Sequence, residues 1–208
     1  VYLGERPLEL AQAPEACVDS CNRCVAGLFS TGVVRRLQDC KDRARRLADE
    51  YAARGDRARF VFGSMGPTGF LPSSKDAALG RIDPSEIEAA YREQALALIE
   101  GGADALLIET QQDILEARAA VLGADAARRE AARDVFLMVQ PTLVDASGRM
   151  LLGTDVQAAL ATLERLPVDC VGINCSTGPA EMRESVRLLG QKCSHYVSVL
   201  PNAGMPEN

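Results

Sequence analysis

From residue 59 onward, short apolar runs alternate with stretches in which apolar residues recur every three or four positions. The runs are Arg59–Phe62, Ala105–Ile108, Val135–Val139, Val168–Ile173 and Tyr196–Leu200, each four to six residues long. That length, with β-branched or leucine-rich content, predicts parallel strands buried on both faces. Between them, Asp83-Pro84-Ser85-Glu86 combines an N-cap, a first-turn proline and an acidic third position. A helix follows, with Ile87, Ala90, Tyr91, Ala95, Leu98 and Ile99 on its buried stripe and Gly101-Gly102 at its end.

Thr154 and Gln157 read as a capping box ahead of Val156, Ala159, Leu160, Leu163 and Leu166. Pro179 opens another helix, with Met182, Val186 and Leu189 on one side. Upstream, Val33 to Tyr51 predicts a helix that turns Val34, Leu37, Ala44, Leu47, Ala48 and Tyr51 inward. Strands alternating with helices make βαβ units and a parallel sheet. An open doubly wound sheet and a (β/α)8 barrel both satisfy this order, although five strands do not close a standard barrel. Residues 1–33 differ in character: Pro7 and Pro14 interrupt them and no strand emerges.

Composition narrows the class. Trp is absent and aromatics are scarce at 4%, so Leu, Val, Ile and Ala must build the core. A net charge of −6 offers no footprint for nucleic acid or an anionic membrane surface. No apolar run reaches the length of a membrane span. Seven cysteines, an odd and scattered set, fit a reducing compartment better than a disulfide framework, so the expected location is the cytoplasm.

In parallel α/β folds, working residues lie at the carboxyl ends of strands. Glu109 follows Leu106-Leu107-Ile108, where it would bind an ammonium group, act as a base, or cap the next helix; spacing leaves these open. Cys175, between Asn174 and the Gly178-Pro179 helix start, reads as a thiolate near a helix N-terminus or as a small buried hydrophobe. Counting by twos puts Cys170 on the opposite face, against a helix, and Cys193 at the far end of the sheet. His195, the single histidine, falls at the amino end of a strand and reads as structural. Gly63, Gly66 and Gly69 match no dinucleotide or Walker loop. Cys17, Cys21 and Cys24, spaced C-x3-C-x2-C, are similar to the cluster loop of radical S-adenosylmethionine enzymes. Arg23 stands there in place of the usual aromatic.

Taken together, Val168-Asp-Cys-Val-Gly-Ile-Asn-Cys-Ser-Thr-Gly-Pro179 and Ala103-Asp-Ala-Leu-Leu-Ile-Glu-Thr110 resemble the homocysteine S-methyltransferase domains of cobalamin-dependent methionine synthases. Gly63-Ser-Met-Gly-Pro67, Gly148-Arg-Met-Leu-Leu-Gly-Thr154 and Leu200-Pro-Asn-Ala-Gly-Met-Pro206 agree, in order. The resemblance implies a TIM (β/α)8 barrel, here incomplete, with about strands 3 to 7 present. It implies a partial homocysteine-binding domain over residues 34–208 behind an atypical segment 1–33. It also implies zinc on three thiolates, of which Cys175 matches the first, with Glu109 holding the homocysteine ammonium and Asn174 shaping the floor. Methylcobalamin on another domain would donate the methyl group, and cobalamin- and folate-binding domains would be partners.

The expected Cys-Cys pair is not found before Asn208, and the family's first two strand motifs are not found at the start. The expectation is therefore one zinc ligand of three, and no methyl transfer by the 208-residue chain itself. A radical enzyme using Cys17, Cys21 and Cys24, or a non-catalytic barrel piece acting as an interaction module, stand as alternatives.

Overall fold

A computed structural model describes residues 44–55, 58–144 and 146–203. The helix expected from Val33 is seen over residues 44–53 (α1), and its earlier part lies outside the described residues. Ala48 on α1 is buried, but Leu47 and Tyr51, expected to face inward, are exposed. The chain then runs β1 (Phe62–Met65), α2 (Pro84–Glu100), β2 (Ala105–Gln111), α3 (Ile114–Glu130), β3 (Phe136–Pro141), α4 (Val156–Leu163), β4 (Cys170–Asn174), α5 (Pro179–Lys192) and β5 (Tyr196–Leu200). The five strands form one sheet in sequence order, every pair parallel.

Local chemistry explains where the helices begin. Asp83 accepts from the Ser85 amide at 2.8 Å, with Pro84 pre-set for the first turn. Asp155, not Thr154, caps α4, accepting from the Ala158 amide at 2.8 Å. α3, which the apolar pattern does not mark out, is capped by Asp113 through the amides of Leu115 and Glu116. Alanine supplies most of its buried face, so its stripe carries little contrast. The small residues serve packing: a Cβ on Gly123 would meet the Glu88 carbonyl oxygen of α2 at 2.3 Å.

The sheet has two different faces. Leu106, Ile108, Leu137, Val139, Val171 and Ile173 join the core shared with the helices. The alternate positions Ser64, Glu109, Gln140, Asn174 and Ser198 therefore face the other way, and Cys170 belongs with them. This corrects the placement of Cys170 against a helix.

That second face is concave. Strands two apart in a flat sheet are separated by roughly 10 Å. Here Asn174 of β4 accepts from the Thr110 amide of β2 at 2.9 Å, and Gln140 of β3 donates to Ser198 of β5 at 2.8 Å. Only a curled sheet permits both.

The amino ends of the strands are stitched structurally. Asp104 accepts from the Val61 amide and from Arg45, each at 2.6 Å. Arg128 donates to the Val135 and Pro167 carbonyls at 2.9 Å and to Asp169 at 3.0 Å. His195 pairs with the Glu164 carbonyl at 3.1 Å, away from the strand carboxyl ends. No helix among the described residues is long and apolar enough to cross a membrane.

Candidate functional site

The polar groups converge at the carboxyl ends of β1, β2 and β4. Register between β2 and β3 shifts between Ile108 and Gln111, an irregularity that re-aims Glu109 and Thr110. Thr110 sits at φ 60°, a conformation that β-branched residues rarely adopt. Cys175, just past β4, sits at φ 58° and Ser176 at φ 63°. Such strain persists only where surrounding contacts over-determine it, and it gathers at functional sites.

Those contacts are visible. Asn174, fully buried, donates through Nδ2 to the Thr110 hydroxyl at 2.8 Å, Cys175 Sγ at 3.3 Å and Glu109 Oε2 at 3.4 Å. Two amide protons thus serve three acceptors. The Thr142 hydroxyl donates to the Asn174 carbonyl at 2.8 Å, and the Cys175 amide donates to the Leu200 carbonyl at 3.0 Å. The left-handed turn at Cys175 brings its sulfur onto the concave face, where strict alternation from Asn174 would have turned it toward the helices.

Glu109 is half-buried and lies within β2 rather than beyond it. Its Oε1 accepts the Ser64 hydroxyl of β1. Helix capping, the competing role for this carboxylate, belongs to Asp113. Ser64 went unnoticed in the sequence because nothing local marks a strand serine as a carboxylate partner. Glu109, Asn174 and Cys175 are brought together; Cys170 and Cys193 are elsewhere, and Cys17, Cys21 and Cys24 lie outside the described residues.

Burial pushes the Cys170 thiol up to about 11, with Cys193 and Asp169 adding to the effect. It is a neutral packing group at ordinary pH. Among the described residues, no three His, Cys, Asp or Glu side chains are grouped to hold a metal ion. Cys175 offers one soft donor beside an acidic one, which does not amount to a zinc site.

The site can therefore hold a cationic group at Glu109 and present a thiol nearby, with Asn174 fixing the distance between them. A profile of the homocysteine S-methyltransferase family matches residues 25–208. The chain is 43% identical over 200 residues to a methionine synthase of Mycobacterium tuberculosis, covering 94% of this chain. It is 44% identical over 190 residues to a methionine synthase of Mycobacterium leprae, covering 89% of this chain. It spans only 16% and 15% of the length of these two relatives. In structure it is similar to the apo form of the homocysteine methyltransferase MmuM of Escherichia coli, at TM-score 0.70 and 22% identity, covering 97% of this chain and 76% of that one. The metallated form of that protein matches at TM-score 0.70 and 21% identity, covering 89% and 64%.

Proposed function

The chain belongs to the homocysteine S-methyltransferase family, and from that premise we propose that it is the homocysteine-binding part of a methionine synthase. The carrying observation is the Asn174 side chain, within 3.3 Å of Cys175 Sγ and 3.4 Å of Glu109 Oε2 at once. A substrate with an ammonium at one end and a thiol at the other matches that pair. Glu109 would hold the ammonium, Ser64 and Asn174 would orient the carboxylate, and Cys175 would lie beside the substrate sulfur. Methyl transfer would then break the S–H bond of homocysteine, its proton passing to solvent, form the carbon–sulfur bond, and break the bond between the methyl group and its donor, which keeps that bond's electron pair.

Cys175 is proposed as one zinc ligand of a site that the described residues do not complete, so no step is derived through a metal. By the same reading the 208-residue chain alone binds zinc weakly and does not transfer methyl groups. The fold is proposed as a partial TIM barrel domain over residues 34–208, in a cytoplasmic protein. Methylcobalamin as donor, and cobalamin- and folate-binding domains as partners, are proposed from the relatives' greater length.

Calorimetric titration with homocysteine, with and without zinc, tests the reading. Glu109→Gln is expected to weaken binding in both conditions and Cys175→Ser only where zinc is present. Binding that ignores both substitutions, or no binding by the wild type, would sink it. A non-catalytic interaction module has support in Tyr196 and Val197, exposed on β5, which is an edge strand among the described residues, but leaves the convergence at Asn174 without a purpose. The radical-enzyme alternative is not favoured: the family match begins at residue 25, just beyond its three cysteines.

A further inference from the structure

At the mouth, β3 and β4 are joined differently from β4 and β5. The β4–β5 ladder runs to Asn174–Leu200, whereas the β3–β4 ladder stops at Val139–Val171, before Asn174 is reached. The sequence supplies the cause. Successive residues of a strand inside a parallel sheet address opposite neighbours. The Thr142 amide donates to the Gln111 carbonyl of β2 at 2.9 Å, so the residue before it addresses β4. That residue is Pro141, which has no N–H to give.

A side chain takes over where the ladder ends. The Thr142 hydroxyl donates to the Asn174 carbonyl at 2.8 Å, and both residues are buried. The other end of the same peptide, the Cys175 N–H, donates to the Leu200 carbonyl of β5 at 3.0 Å. A peptide unit is planar, so holding its C=O from β3 and its N–H from β5 fixes its orientation. Cys175 leaves this plane at φ 58°, a left-handed conformation that a residue with a Cβ resists. A buried hydroxyl needs some acceptor, but that need does not explain why it takes the one carbonyl whose peptide sets the direction of Cys175.

We propose that Thr142 is the positioning residue for the Cys175 sulfur, its hydroxyl holding the Asn174–Cys175 peptide so that the sulfur turns onto the concave face. Its backbone N–H separately holds β2, the strand that carries Glu109. One residue thus ties the thiol-bearing strand and the carboxylate-bearing strand to the same point. Without the hydroxyl, the Asn174 carbonyl loses its donor from β3 in a buried setting. The peptide then rotates back toward extended backbone, and the sulfur swings to the helix side, where strict alternation from Asn174 puts it.

The inference rests on the functional reading only for what the position serves, and its test needs no substrate. Alkylation by iodoacetamide, resolved by peptide in a mass spectrometer, follows Cys175 and Cys170 in one folded chain. Thr142→Val keeps the shape and the N–H and removes the hydroxyl. Cys175 should then react about tenfold more slowly, the worth of one buried hydrogen bond, while Cys170 stays protected. Thr142→Ser, which keeps the hydroxyl, should restore the wild-type rate. A role in stability alone would instead expose Cys170 and speed both thiols. An unchanged or faster Cys175 in Thr142→Val, or a Cys175 in Thr142→Ser as slow as in Thr142→Val, overturns the proposal. If Thr142→Val does not fold, Thr142→Ala against Thr142→Ser makes the same comparison. Failure of both hydroxyl-free chains to fold also overturns it, because the hydroxyl then holds the fold and not the sulfur. Homocysteine binding by a wild type whose Cys175 rate ignores Thr142→Val removes this inference alone. The expected rates in a chain that ignores homocysteine leave it standing and remove the functional reading instead.

Discussion

Asn174 grips Thr110 from both ends of its amide: Oδ1 accepts the Thr110 backbone N–H at 2.9 Å while Nδ2 donates to the Thr110 hydroxyl at 2.8 Å. β2 and β4 are not neighbours in the sheet. The grip therefore spans the end of β3, and it fixes both the curl of the sheet and the strained conformation of Thr110 at once.

Removing that grip should be costly. Asn174→Ala leaves the Thr110 amide without its acceptor in a buried setting, a loss of about 2–3 kcal/mol by urea denaturation. Asn174→Asp keeps an acceptor but turns a second carboxylate toward Glu109. It should be at least as unstable at neutral pH and recover on acidification. A change below about 0.5 kcal/mol for the alanine variant would mean that the bridge holds nothing in place.

Glu109→Gln keeps the shape of the side chain and removes its charge. If this carboxylate holds an ammonium, homocysteine affinity should fall by roughly 10- to 100-fold, the worth of a charged hydrogen bond. Binding of 4-mercaptobutanoate, which carries the thiol and carboxylate without the ammonium, should not change. Equal losses for both ligands would show a damaged pocket rather than a lost ion pair.

Cys170 supplies a pH-dependent prediction with a defined sign. Its thiol is raised to about 11 from an ordinary 9.0 because it is buried. The native state thus holds this proton more tightly than the unfolded state does. Its contribution is constant below the ordinary value and falls as pH rises through 11. Alkaline unfolding of wild type against Cys170→Ala should show the wild type losing more stability across that window. Iodoacetamide at mildly alkaline pH should modify half-buried Cys175 while Cys170 stays free.

What could be read from the sequence follows from where the information lies. Apolar runs and caps such as Asp83 are local, and they located four of the five strands and most helices; β1 was expected at Arg59–Phe62 and lies three residues later, at Phe62–Met65, so that Ser64 is inside the strand rather than beyond it. α3 escaped because alanines make a weak stripe, and the start of α4 was misjudged between two adjacent residues that can both cap. Glu109, Asn174 and Cys175 could be named because strand ends and a family resemblance mark them. Their joining through one amide could not, because it depends on curvature across three strands. Cys170 was assigned to the wrong face for a related reason: counting by twos from Cys175 fails where the backbone turns left-handed.

Gly172 tests whether that curvature is what holds the site. It lies between Gln140 and Ser198, which reach each other across it at 2.8 Å. A Cβ at Gly172 would meet the Ser198 carbonyl oxygen at 2.2 Å and its carbon at 2.9 Å. Backbone of a paired strand cannot swing aside as a side chain can, so Gly172→Ala must push β5 away from β4. The expected loss is about 2–3 kcal/mol, at the upper end for an added methyl in a packed setting. Gly190→Ala on α5 has nothing within 4 Å and should be neutral or stabilise by about 0.5–1 kcal/mol, which makes it the control for glycine replacement itself. Because β5 also anchors the Cys175 amide through Leu200, Gly172→Ala should weaken homocysteine binding even under conditions where the chain stays folded. Tight binding retained in a destabilised Gly172→Ala chain would separate the site from the β4–β5 pairing and place its geometry in β2 and β4 alone.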